Sequence, residues 1–193
     1  MKKLVAAINM TLDGNYDHTA VDPDEEIHNH YAELLQGAGA ILYGRVTYEL
    51  MKFWQTLIEN PSGERSMDDF AMVMDRVPKI VFSHTITPTD PMITGWKSAE
   101  LSALSLEEKA LQLKHSEDGE GKDIFVGSRS LIIQLLNLNL IDELQICVHP
   151  VIVGGDLSLL ENVSKRISLN LVQTKTFAGG AVILYYQPPV VEE

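Results

Sequence analysis

Short apolar runs alternate along this chain with amphipathic stretches, and the alternation predicts the order of its elements. Residues 2–9, KKLVAAIN, read as a largely buried strand, with a sharp turn after it at Asp13-Gly14. Residues 22–39, DPDEEIHNHYAELLQGAG, open with acids after Pro23, close in glycines, and set Ile27, Tyr31 and Leu34 or Leu35 on one side, so they predict a helix. AILY, residues 40–43, is too short for a buried helix and reads as a strand entering Gly44. RVTYELMKFW then predicts a helix with Val46, Leu50, Phe53 and Trp54 as its apolar stripe. SMDDFAMVMDRV predicts another, which Pro78 separates from the strand KIVFS. The stretch from Thr85 to Ser102 is turn-rich and takes no assignment. SLEEKALQLKH predicts a helix ending before a glycine break at Gly119 and Gly121, and the strand DIFVG, the helix SLIIQLLNLN and the strand ELQICVH follow. Two final strands lie near ISLNLVQTKTF and AVILYYQ, joined by a turn at residues 178–180.

A β-α-β-α opening and a strand-rich close predict an α/β fold: a mixed, mostly parallel sheet with helices on both faces and an antiparallel hairpin at one edge. The 193 residues, 45% hydrophobic and 22% charged, suit one domain over 1–193. The formal charge of -12 and the lack of a basic run argue against nucleic acid as a partner. No apolar run is long enough to span a bilayer, and MKKLVAAINM is interrupted by TLDGNYD before a signal segment is complete, so a soluble, cytoplasmic protein is expected. The single cysteine, Cys147, lies in the apolar run LQICV and reads as a buried small side chain.

Ligands of α/β sheets sit at the carboxyl ends of strands, and three loops have that address: YGRVT at 43–47, FSHT at 82–85 and VGSRS at 126–130. Gly44 and Gly127 permit close approach of backbone to ligand, Arg45 and Arg129 can pair with phosphate oxygens, and Thr47, Ser83, Ser128 and Ser130 offer hydroxyls. Taken singly, each loop is equally an ordinary strand-to-helix turn, with Ser128 as an N-cap. Neither G-x-G-x-x-G nor a Walker pattern is present, which disfavours the usual doubly wound nucleotide fold. His28 and His30 stand two apart and point in different directions on a helix; with no H-E-x-x-H or cysteine pair, no metal site is expected. Asp13 is either a turn residue or a substrate contact, and the acids Asp24, Glu25 and Glu26 suit a helix start with or without a chemical role.

The order of INMTLDGNYD, GAGAILYGRVTYE, PKIVFSHT, GKDIFVGSRSLIIQLLNLNLIDELQICVHPVIVGGDLSLL and LVQTKTFAGGAVILYY resembles the dihydrofolate reductase-like superfamily. Within it, the chain is most similar to the C-terminal reductase domain of the bifunctional riboflavin-biosynthesis enzyme. The resemblance implies an NADPH site formed by Gly44, Arg45 and Thr47 at the cofactor phosphates, Ser83 and His84 beside the adenosine 2'-phosphate, and Gly127, Ser128, Arg129 and Ser130 under the pyrophosphate. It further implies a small-molecule substrate and a homodimer. The family often carries two adjacent glycines where this chain has Gly127-Ser128, and the added Cβ is expected to tighten the approach or shift the cofactor. The position of the carboxylate used by dihydrofolate reductases falls on His28, leaving Asp13, Glu25 and His28 as candidates for proton delivery. The implied reaction is reduction of a small carbonyl, imine or sugar-linked heterocycle, with 5-amino-6-(5-phosphoribosylamino)uracil the nearest named substrate. A pterin or folate reductase, or an inactive nucleotide-binding homodimer, is the alternative.

Overall fold

Alternate residues of the first strand enter two different cores, and that division organises the architecture. In the computed structural model, which describes residues 1–116 and 122–189, β1 (Leu4–Thr11) runs through an eight-stranded sheet. Leu4 and Ala6 pack on one face and Val5 and Ala7 on the other, as the period of two along a strand requires. The remaining strands are β2 (Ala40–Gly44), β3 (Lys79–Phe82), β4 (Ala99–Leu101), β5 (Ile124–Val126), β6 (Glu143–His149), β7 (Asn170–Thr176) and β8 (Val182–Gln187). Their spatial order is β4-β3-β2-β5-β1-β6-β8-β7. All pairings from β4 to β6 are parallel, and β8 and β7 close the sheet antiparallel. The expected hairpin is therefore present, with β8 inserted beside β6 and β7 at the edge; its turn runs through Gly180 at φ 86°.

The helices are α1 (Glu25–Gln36), α2 (Arg45–Glu59), α3 (Arg65–Arg76), the short α4 (Pro91–Thr94), α5 (Leu106–His115) and α6 (Arg129–Asn137). Steps from β1 to β4 all travel one way across the sheet, whereas those from β4 to β5 and on to β6 travel back. Right-handed crossovers then put α1 to α4 on one face and α5 and α6 on the other. The two cores agree: Leu35, Tyr48, Phe70 and Met74 join Val5 and Ile41, while Ala110, Leu131 and Leu135 join Leu4 and Leu42. Full burial of each such large apolar side chain contributes about 1.5–3 kcal/mol.

The unassigned stretch from Thr85 to Ser102 holds α4 and β4, whose ordering comes from tertiary contacts rather than local pattern. Trp96 is buried and donates its indole N–H to Asp75 Oδ1 at 2.9 Å, and Ser98 Oγ donates to the Asp75 carbonyl at 2.6 Å. Lys79 is buried beneath them, with Nζ donating to Ser98 Oγ at 2.8 Å and to the Val77 carbonyl at 2.9 Å, 4.0 Å from the Trp96 ring centre. Desolvation pushes this ammonium down to about 7, against the opposing field of Asp75. The expected glycine break at Gly119 and Gly121, and the VVEE end of the chain, lie outside the described residues.

Candidate functional site

Between β2 and β5 the chain reverses its direction of travel: β2 leads toward β3, and β5 leads back across β1 to β6. Such a switch point opens a crevice at the carboxyl ends of the strands. Here it is a cleft of about 650 Å³, walled by the start of α2 (Arg45, Val46, Thr47), the loop after β3 (Ser83, His84, Thr85), the loop after β4 and the start of α6. The expected residues Gly44, Arg45, Thr47, Ser83, His84 and Ser130 all line it.

Arg45 and His84 are exposed on this wall; the Arg45 guanidinium is paired with Glu49 at 2.7 Å on the next turn of α2. Ser83 Oγ accepts the Thr85 and Ile86 amides, each at 3.1 Å, so this hydroxyl shapes its loop and holds His84 at the rim. No side chain caps α2 or α6, which leaves first-turn amides of both helices facing outward with their partial positive charge. By contrast, Asp24 caps α1 and Ser105 with Glu108 forms a capping box on α5.

The four residues of Gly127-Ser128-Arg129-Ser130 separate into three roles. Ser130 is exposed and lines the cleft. Ser128 is buried, and its hydroxyl accepts the Gly44 amide at 2.8 Å across the switch point instead of capping α6. Its Cβ therefore points into the fold rather than toward the crevice, and the serine couples the two loops that a second glycine would leave unlinked. A Cβ built on Gly44 would lie 3.3 Å from Ser130 Oγ, and one on Gly127 3.2 Å from the Tyr43 ring, so both glycines keep this junction tight. Arg129 does not line the cleft: Nε donates to the Leu159 carbonyl at 3.0 Å and Nη2 to the Glu161 carbonyl at 2.8 Å, with the guanidinium 4.9 Å from the Tyr16 ring centre.

Asp13, Glu25 and His28 are not bonded to one another among the described residues. Asp13 sits after β1 and accepts the Thr11 hydroxyl, the Gly154 amide at 2.7 Å and the Val153 amide at 3.2 Å. These bonds, the Thr11 hydroxyl first and the Gly154 amide next, hold its carboxyl below the usual range, so it is a clasp on the loop after β6 and stays ionised. Glu25 is exposed in the first turn of α1. His28 lies edge-on to Trp54 with ring centres 5.7 Å apart and 6.2 Å from Phe70, and desolvation lowers its basicity. His30 turns elsewhere, accepting from Lys175 Nζ at 3.0 Å, and burial with that ammonium brings it down to about 4. Cys147 is fully buried, and burial pushes its thiol up to about 12.

Two features carry no local signature and were not expected. The loop after β4, with Ser102, Leu104 and Ser105, supplies a cleft wall but follows an edge strand of three residues. Asn9, Tyr31 and His149 meet where β1 and β6 end: Asn9 Oδ1 accepts from Tyr31 Oη at 3.2 Å and from His149 Nε2 at 3.1 Å. The one visible hint is an amide side chain, Asn9, inside the apolar run of a central strand.

Residues 2–183 match the RibD C-terminal domain family. The Bacillus subtilis strain 168 protein YyaP is 29% identical over 194 residues, which cover 96% of this chain and 94% of YyaP. A Shewanella sp. PV-4 protein named for riboflavin biosynthesis is 18% identical with a TM-score of 0.70, over 98% of this chain and all of the other (100%). A pyrimidine reductase-like protein from Corynebacterium diphtheriae is 14% identical with a TM-score of 0.62, over 98% of this chain and 93% of that one. At those two identities the structural likeness shows the fold. No helix among the described residues is long and apolar enough to cross a membrane.

Proposed function

The chain belongs to the RibD C-terminal domain family, and on that premise we propose that it is a single-domain, NADPH-dependent reductase of a small carbonyl, imine or sugar-linked heterocycle. The reading rests above all on the convergence of the β2, β3 and β5 loops on one cleft at the topological switch point. The residues present suit a dinucleotide phosphate: a volume within the range of small-molecule sites, uncapped α2 and α6, exposed Arg45 and His84, and the Thr47 and Ser130 hydroxyls. Arg45 and His84 are assigned to the 2'-phosphate side, and Thr47 and Ser130 to the pyrophosphate. Gly127 and Ser128 are assigned to holding the junction, and Arg129 to holding the loop after β6.

When bound, NADPH supplies the hydride. The protein's share is to fix the cofactor along the strand ends and to keep the reacting carbon beside it. Asp13 is assigned to the loop clasp. His28 is assigned to the aromatic packing around Trp54 and, with its lowered basicity, is neutral near neutral pH. Glu25 is the member of the set proposed to pass a proton through water to the reduced product. The exposed edge strand β7, with Leu171 and Val172 half exposed, is proposed to pair with a second copy. Titrating NADPH into the isotopically labelled protein should move the amide resonances of Gly44, Thr47, His84 and Ser130 first. Shifts confined to residues outside the cleft would sink the assignment.

A further inference from the structure

Beside the cleft, the ends of β1 and β6 form a second surface of different chemistry. β1 has neighbours on both sides, yet Ala7 and Asn9, on the face that carries α1, are only partly buried. A central strand is normally covered on both faces, so its open carboxyl half marks a hollow, one strand away from the β5 end of the cleft. Asn9 sits there with Oδ1 already accepting from Tyr31 and His149. What Asn9 has left is its Nδ2 amide, a donor suited to a carbonyl oxygen.

Carboxylates outnumber cations around this hollow. The chain has no lysine or arginine between Lys3 and Arg45, nor between Arg129 and Lys165, and these two segments build the ends of β1 and β6. The same segments carry Asp13, Asp17, Asp22, Asp24, Glu25 and Asp156. The cations that flank them are engaged: Arg129 with the Leu159 and Glu161 carbonyls, Lys175 with His30. Ser164 is bonded to Asn137 at the far end of α6, at 2.9 Å, which carries Lys165 and Arg166 toward the opposite end of the sheet.

We propose that the hollow over the carboxyl half of β1 receives a phosphate-free, uncharged heterocycle whose ring carbonyl accepts from Asn9 Nδ2. The proposal deepens the reductase reading and rests on it. A phosphate ester entering here meets a surplus of fixed carboxylates, and the two flanking cations, Arg129 and Lys175, are already hydrogen-bonded within the fold, so the phosphate is a penalty, and one that salt screens.

The test uses the full-length protein, with NADPH affinity measured first by calorimetry. Two probes, 5-amino-6-ribosylaminouracil and its 5'-phosphate, are then compared by binding in the presence of saturating NADP+. The riboside should bind about 10-fold or more tightly than the ester at low salt, with the ratio shrinking as salt rises. Asp22→Lys should narrow the ratio about 3-fold through ester affinity alone, with NADPH affinity unchanged. Asn9→Ala should weaken the riboside about 10-fold while the ester-to-riboside ratio stays as in wild type. Equal binding of the two probes, or tighter binding of the ester, overturns the proposal while leaving cofactor binding intact. Failure of NADPH itself to bind overturns the reductase reading, and this proposal with it.

Discussion

The strand ends of β2 to β5 and those of β1 and β6 lie side by side on one sheet, yet they use their polar groups in opposite ways. On the first side, the starts of α2 and α6 carry no side-chain cap, and Arg45, His84 and Ser130 reach an open cleft. On the second, Asp13 is bonded to the loop after β6, Asn15 donates to the Gly154 carbonyl at 2.9 Å, and Arg129 is bonded to two carbonyls of the same loop. A polar residue on a strand-end loop is thus a ligand candidate when its polar group still reaches the open cleft, as Arg45 does while paired with Glu49. The arginines at the starts of α2 and α6 make the point: Arg45 faces the cleft and Arg129 faces away from it, although both follow a glycine-containing strand end.

The sharpest way to break this comparison is to remove the Arg45 and His84 side chains from the cleft. Arg45→Ala combined with His84→Ala should weaken NADPH about 100-fold, which is about 2.7 kcal/mol, while leaving the melting temperature near wild type. Next in size is Ser128→Ala, which strands the buried Gly44 amide; chemical denaturation should report a loss of about 1–2 kcal/mol, and NADPH affinity should fall as the two loops uncouple. Arg129→Ala should cost about 1 kcal/mol of stability by the same measurement and change NADPH affinity less than about 3-fold, the reverse of the Arg45 result. Asp13→Ala should lower the melting temperature by a few degrees and increase proteolysis of the loop at residues 150–160, again with NADPH affinity kept.

The smallest effect is one of pH. His28, His30 and His149 all have their basicity lowered by burial, His30 to about 4. Between a lowered folded value and the ordinary 6.5, the unfolded chain binds more protons than the native one, so stability rises with pH across that window. Denaturant midpoints should therefore decline as pH falls from about 6.5 toward 4, and Lys79, held at about 7, should add a further rise as pH climbs above 7. His30→Gln should flatten part of that decline, by no more than about 1 kcal/mol for a half-buried group.

Part of the fold was legible in the pattern, but the side through which α2 packs was not: Val46, Leu50 and Phe53 of its expected stripe are exposed, and Tyr48 and Met51 join Trp54 on the sheet side instead. β1 and β2, as short apolar runs, and α1, with Ile27 and Leu35 inward at helical spacing, were legible. β4 was not, since three residues on an edge carry too little pattern and owe their place to Trp96, Ser98 and Lys79. At the site, the residues that flank glycine turns could be named, but their direction could not. Ser128 and Ser130 are two apart on one motif, and only packing decides that the first turns inward to Gly44 and the second outward to the cleft. The Asn9, Tyr31 and His149 contact joins residues up to 140 positions apart, so no local pattern announces it.

The central claim is that the cleft holds a phosphorylated dinucleotide through Arg45 and His84. Calorimetric titration of the wild-type protein with NADPH, beside NADH, tests it most directly. The account predicts saturable binding of NADPH, tighter than NADH, with the difference abolished in the Arg45→Ala, His84→Ala variant. No measurable binding of either dinucleotide, or equal affinity for both in the wild type, would contradict it.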